Sequence, residues 1–152
     1  VIEPPIELRE TVEDDFPILF GFQADPEASA MAAFPSRIWP AFVEHQAKIA
    51  ADPAATTRTI LVDGSIVGSI GSWAAGDERD VGYWIGREYW GRGFATAALR
   101  AFLEVDMTRP MWAHAAEHNV GSRRVLEKAG FVQERQELGA DGITEGIFVL
   151  PA

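Results

Sequence analysis

Gly91 and Gly93 flank Arg92 where a strand-like pattern gives way to a helical one, in the run Tyr89-Trp90-Gly91-Arg92-Gly93-Phe94-Ala95-Thr96. Small residues at such a junction let a ligand approach the backbone, and the first amides of a helix have no internal partner. With the positive end of the helix they make an anion site. A tight turn needing positive φ uses the same glycines, so both readings stand on these residues alone. Neither nucleotide fingerprint applies: there is no G-x-G-x-x-G, and no Lys-Ser/Thr follows the glycines. A second constellation, NVGSRRVLEKAGF, runs from Asn119 to Phe131. Asn119 suits a helix N-cap and Ser122 lies one turn on, where donors and acceptors are still free. Taken alone, Asn119 is a structural cap, and Arg123, Arg124 and Lys128 are a solvated face.

Charge points to the same stretch. The chain carries −10 formally, from 13 basic and 23 acidic residues. Between Arg87 and Lys128, however, lie seven Lys/Arg and five Asp/Glu, a local +2 that leaves −12 for the rest. A region relieved of negative charge suits an anionic ligand. The overall acidity disfavours nucleic acid, whose affinity rests on phosphate neutralisation; it serves solubility and would suit a cationic substrate. The remaining candidates are weaker. His45, His114 and His118 lack metal-ligand spacing, and without cysteine no thiolate zinc site exists, so no metal is expected. His114, on a predicted strand, reads more readily as a sheet residue than as a base. Phe34, Trp39 and Phe42 suit either a core or the wall of a substrate pocket.

The elements that must position these residues follow from periodicity. Ile6-Glu7-Leu8-Arg9 alternates as a first strand. Thr11, Asp14 or Asp15 caps a helix through Phe20 and Phe22, and a second helix starts near Ser36 and runs from Pro40 to Ala51. Thr59 to Val62, Asp63-Gly64 and Ile66 to Gly71 read as a hairpin. A third strand of this group spans Val81 to Ile85. From Gly93 the apolar spacing becomes helical, with Phe94, Ala98 and Phe102 on one face. That helix ends before Arg109-Pro110. Met111 to Ala115 is a short strand, the helix after Asn119 ends on Gly130 as C′, and Val132 to Glu137 with Ile143 to Leu150 closes the chain as a hairpin. The order is β, two helices, three strands, α, β, α, two strands: a mixed α/β (α+β) sheet of about seven strands with about four helices.

At 152 residues the chain is expected to form a single domain over 1–152. Roughly 68–70% of the unfolded surface is buried at this size, so a core forms without staples. With 47% hydrophobic and 24% charged residues it is neither disordered nor fibrous. No apolar run approaches the ~18 residues of a spanning helix, and VIEPPIELRE lacks the basic and apolar regions of a leader. A cytoplasmic location is the default expectation.

Together the two constellations resemble the GNAT superfamily of acyl-CoA-dependent N-acyltransferases, in its RimJ/RimL-like branch. The matching segments are GYWIGREYWGRGFATAAL, then NVGSRRVLEKAGF, with LRETVEDD near the start, so the likeness covers essentially the whole chain. The resemblance implies a twisted, mostly antiparallel sheet splayed between its fourth and fifth strands, with acetyl-CoA as cosubstrate in the splay. It implies that the backbone of Trp84 and Ile85 pairs with the pantetheine arm. The amides of Gly91, Arg92, Gly93, Phe94, Ala95 and Thr96 would cradle the pyrophosphate, with Asn119 and Ser122 beside the thioester. Trp90 stands where the family commonly has Gln or Arg, and Leu126 where many members carry a tyrosine that protonates the leaving thiolate. Ser122, one turn N-terminal to Leu126, is therefore the expected donor. Asp80 stands where the branch usually carries an acidic residue; it is expected to take or attract the ammonium proton, unless it is a solvated strand-edge carboxylate beside Arg79.

The function this implies is acetyl transfer to a primary amine by direct attack on the thioester, part of the rate coming from positioning and part from a backbone amide on the oxyanion. An α-amino group, with a reference pKa of about 7.7–8.0, suits a site without an obvious strong base better than a lysine-like amine near 10.4. The expected partner is a peptide N-terminus or small amine, with no nucleic acid and no membrane, and the protein a monomer or homodimer. The alternatives are a non-catalytic acyl-CoA-binding module and an antibiotic or polyamine acetyltransferase.

Overall fold

The Asp63-Gly64 pair takes left-handed φ values of 51° and 79°, the geometry of a two-residue hairpin turn. It joins β2 (Thr56–Val62) to β3 (Ser65–Ala75). In the computed structural model, which describes residues 4–139 and 141–152, this hairpin is the centre of an N-terminal meander. β1 (Glu7–Glu10) and β4 (Glu78–Ile85) flank it, all antiparallel. β5 (Met111–Ala116), β6 (Val132–Leu138) and β7 (Thr144–Leu150) complete one sheet of order β1-β2-β3-β4-β5-β7-β6. Among the described residues only β4 and β5 run parallel. A parallel pair needs a crossover, and α4 (Phe94–Val105) supplies it. Residues 1–3 of the stretch read for a leader lie outside the described residues. No described helix is long and apolar enough to cross a membrane.

The predicted face of α4 is the one that is buried. Phe94, Ala98, Leu99, Phe102 and Leu103 pack on Ile60, Ile70, Val81 and Met111 of the sheet. Burying a side chain such as Phe102 fully is worth about 1.5–3 kcal/mol, which fixes how α4 lies and so where its N-terminus points. α5 (Val120–Lys128) closes the same layer through Leu126, with Phe131 beyond it.

The opposite face carries three helices where the sequence reading gave two. α1 (Phe16–Ala24) and α3 (Trp39–Ala51) are the expected pair; α2 (Pro26–Ala32) comes between them in the chain, making five α-helices among the described residues. Its start is a local signature: Asp25 Oδ1 accepts from the amides of Glu27 (2.9 Å) and Ala28 (3.2 Å), and Pro26 takes the first turn. Phe20 and Phe42 meet edge-to-face at 5.4 Å, holding α1 against α3, and the Trp84 indole donates to the Phe22 carbonyl at 3.1 Å, tying α1 to β4.

Candidate functional site

β4 is hydrogen-bonded to β3 along its whole length but meets β5 only at Asp80↔Trp112. Beyond that pair the two strands part, and a cleft of about 570 Å³ opens between them. Val81 to Ile85 form one wall and Ala113 to Ala115 the other, with the N-terminal turns of α4 and α5 at its ends. This is the expected splay between the fourth and fifth strands.

At the α4 end, Gly91 and Gly93 have φ of 76° and 79°. A β-carbon on Gly91 would meet nothing within 4 Å, and one on Gly93 only the Pro4 ring at 3.8 Å. What demands glycine here is the left-handed backbone, not crowding. Gly93 is the N-cap and no side chain caps it; the first bond runs from the Ala97 amide to the Gly93 carbonyl, at 3.1 Å. The amides of Phe94, Ala95 and Thr96 precede that bond, and these residues line the cleft with Gly91 and Gly93. Arg92 does not line it: its guanidinium lies over the Tyr89 ring at 5.9 Å. The aromatic departure at Trp90 has a visible use, since its indole donates to the Ile85 carbonyl at 2.9 Å and pins the glycine loop to the end of β4.

At the α5 end, Asn119 Oδ1 accepts from the Ser122 amide at 3.1 Å, an ordinary N-cap. That leaves the Ser122 hydroxyl free of the helix start. It meets the Tyr83 hydroxyl across the cleft at 2.7 Å. Burial pushes the Tyr83 phenol up to about 12, with the Ser122 hydroxyl offsetting only part of that shift. Tyr83 escaped the sequence reading, although the alternation of β4 placed it on the same inward face as Val81 and Ile85. Leu126 is 1% exposed, committed to the core.

Asp80 is not a solvated edge residue beside Arg79. It sits on a central strand, 8% exposed, while Arg79 turns to Asp106 at 2.9 Å. The Asp80 side chain does not line the cleft; His114 does, with its Nε2 3.6 Å from Asp80 Oδ2 and its Nδ1 2.9 Å from Glu145 Oε1. Asp80 Oδ1 is buried without a hydrogen-bond partner. Burial is the main cause that pushes the Asp80 carboxyl up; His114 opposes it, and Glu78 and Glu145 add to it. Glu145 was likewise missed, because it comes from β7, 31 residues beyond His114.

This geometry has known counterparts. The chain is 37% identical to "Putative ribosomal N-acetyltransferase YdaF" of Bacillus subtilis (strain 168), over 49% of this chain and 45% of that protein. It thus spans under half the length of that relative. Among solved structures, the spermidine N-acetyltransferase of Vibrio cholerae, in complex with CoA and spermine, aligns with a TM-score of 0.82. That match covers 95% of this chain and 94% of the other at 15% identity. Mycobacterium smegmatis RimJ, in complex with CoA-disulfide, aligns with a TM-score of 0.77 and 21% identity, covering 97% and 82% of the two chains. At these identities the structural likeness is one of fold. The acetyltransferase (GNAT) domain model matches residues 6–132, most of the chain, and with the parted β4–β5 pair in place the protein belongs to the GNAT acetyltransferase family.

Proposed function

We propose that this chain is an N-acetyltransferase, one domain on the RimJ-like side of its family, that moves an acetyl group from acetyl-CoA to a primary amine. The observation that carries this is the single cleft shared by the α4 amides and the Ser122–Tyr83 pair. The fit to acetyl-CoA rests on features of that cleft: its position between parted strands, the left-handed glycines and first α4 residues that line it, and a local charge balance relieved of acidity. The backbone of Trp84 and Ile85, and the amides from Gly91 through Thr96, are the groups that would hold it. When bound, acetyl-CoA supplies an acyl group already activated as a thioester. The chain then has two tasks, to present a neutral amine and to ease departure of the sulfur.

Ser122 serves the second. Its hydroxyl is a weak acid, so it donates a hydrogen bond to the sulfur or relays a proton. Tyr83 orients that hydroxyl from the other wall and, at about 12, stays a phenol throughout the working range. The carboxylates of Asp80 and Glu78 beside the cleft suit a cationic acceptor, an N-terminal α-amino group or a small amine. The likeness to the Bacillus and Mycobacterium proteins supports the former; the Vibrio structure keeps polyamines as the second reading.

Free-thiol release from acetyl-CoA, assayed with short peptides, spermine and an aminoglycoside, tests the proposal. Release with any one of them is the expected result, and the acceptor that gives it names the class. CoA binding seen by calorimetry with no release from any acceptor would make the protein a non-catalytic acyl-CoA module instead.

A further inference from the structure

The acceptor's proton needs a base in the cleft, and Asp80 is set back from it. His114 is not. A carboxylate only accepts hydrogen bonds, so at the 2.9 Å contact it is His114 Nδ1–H that donates to Glu145. The neutral ring then keeps its lone pair on Nε2. That nitrogen faces Asp80 Oδ2 across 3.6 Å, too far for a hydrogen bond, and Asp80 Oδ1 is unpartnered. Nε2 and Oδ2 are two acceptors 3.6 Å apart, one of them on a residue only 8% exposed, and such a pair is costly unless one donor bridges both from the cleft side. A primary ammonium is such a donor, with three N–H bonds. Glu78, whose carboxylate lies within 4.8 Å of both other groups, offers a third acceptor.

We propose that His114 is the general base of the transfer and Glu145 its positioning residue. This rests on the acetyltransferase reading above. The acceptor ammonium docks from the cleft against both Asp80 Oδ2 and His114 Nε2, bridging them, and gives one proton to Nε2. Its freed lone pair attacks the acyl carbon. A C–N bond forms, the C–S bond breaks with its electron pair on sulfur, and the nitrogen's surplus proton balances the one the sulfur takes up. The net proton released is the one on His114, which returns to solvent past the partly exposed Glu145. The charged groups facing the imidazole are Asp80 and Glu78 from β4 and Glu145 from β7. The α2 helix packed over β5 contributes Ala28, Met31 and Ala32 to the cleft, none of them titratable, while α5, also packed on β5, brings Arg124 and Lys128 to the cleft and the turn before it His118.

The test has two arms on the full chain. In the kinetic arm, kcat/KM is measured against pH with saturating acetyl-CoA and whichever of the peptide or spermine acceptors releases thiol. His114→Gln should lower it about 10²-fold, the low end of general-base contributions. Added imidazole should restore part of the activity of His114→Gly, and Glu145→Gln should move the acid limb of the profile to lower pH. A His114→Gln enzyme with wild-type kcat/KM and profile overturns the proposal, as does activity lost to EDTA and restored by zinc, which would make the cluster a metal site. The second arm does not need turnover. Imidazole 15N NMR at pH 8 should show the Nδ1–H tautomer, and methylammonium chloride should shift Nε2 in wild type but not in Asp80→Asn. A proton on Nε2 at that pH, or no shift with methylammonium, overturns it whatever the kinetics. If no acceptor turns over while the NMR behaves as expected, the transfer reading fails and the ammonium site stands.

Discussion

Ser122 and Asn119 divide between them two jobs that the sequence alone could not separate. The cap is made by Asn119 Oδ1, while the Ser122 hydroxyl reaches Tyr83. Substitution should therefore split cleanly. Ser122→Ala removes a hydroxyl that the helix does not use, so the urea midpoint should hardly move, whereas kcat should fall by up to about 10²-fold with CoA affinity changed much less. A thiol titrating near 8.5 leaves with modest help, which is why the loss is bounded. Asn119→Ala should behave in the opposite sense, costing about 1 kcal/mol of stability as lost caps do. Tyr83→Phe leaves the Ser122 hydroxyl without its partner and should lower kcat roughly tenfold, about 1.4 kcal/mol, the size of one net hydrogen bond. Stopped-flow thiol release and urea melts on the same three variants give both quantities. If Ser122→Ala lowers stability and leaves kcat intact, the hydroxyl is structural after all.

At the scale of elements, the α4 junction carries the most consequence for the least sequence. Gly93→Val places a β-branched residue at φ 79°, where non-glycine backbone is strained whatever the surrounding space. Strain of this kind costs of order 1–3 kcal/mol, and relieving it turns the first α4 amides away. CoA affinity by calorimetry should thus drop well beyond what the stability loss explains; unaltered binding would put the phosphate cradle elsewhere. That junction, the α4 face and the Asn119 cap were legible because each is written in consecutive residues. What was not legible had two physical sources. α1 is apolar on every side, so no face marked its end, and the Asp25-Pro26 start of α2 was read through. The Tyr83–Ser122 and Asp80–His114–Glu145 contacts join residues 39, 34 and 31 positions apart. Such pairings are set by the sheet order β4-β5-β7, which local pattern does not encode. His114 gave no such signal for the same reason: on its own strand nothing distinguishes it, and its carboxylate neighbours come from β4 and β7.

For the molecule as a whole, the acidic chain hangs on two carboxylates that clamp separate elements. Asp15 takes both Arg9 nitrogens at 2.8 Å and the Thr59 hydroxyl at 2.8 Å, joining the turn before α1 to β1 and β2. Asp106 takes Ser72 at 2.5 Å and Arg79 at 2.9 Å, anchoring the end of α4 to β3 and β4. The Arg9 bonds hold Asp15 down at about 2 against its burial. Burial would raise Asp106 too, but the Ser72, Thr108 and Arg79 contacts outweigh it and keep that carboxyl well below the usual range. A depressed folded pKa gives stability that is present above the unfolded value, near 3.8, and lost as pH falls toward the folded one. For Asp15 this is about 2 kcal/mol. Asp80 works in the opposite sense: its folded pKa is raised, so its contribution is present at acid pH and lost as pH rises through the folded value. Charge repulsion in a chain of −10 also eases on acidification toward pI 4.7. Urea midpoints followed from pH 8 should therefore rise slightly toward pH 5, then collapse below about 4. Asp15→Asn should flatten that acid limb. Asp80→Asn should raise the midpoint at pH 8 while weakening acceptor binding, because the buried carboxylate is kept at a cost to stability. An Asp80→Asn protein less stable than wild type at pH 8 would mean that His114 already satisfies Asp80 and that no ammonium is needed to bridge them.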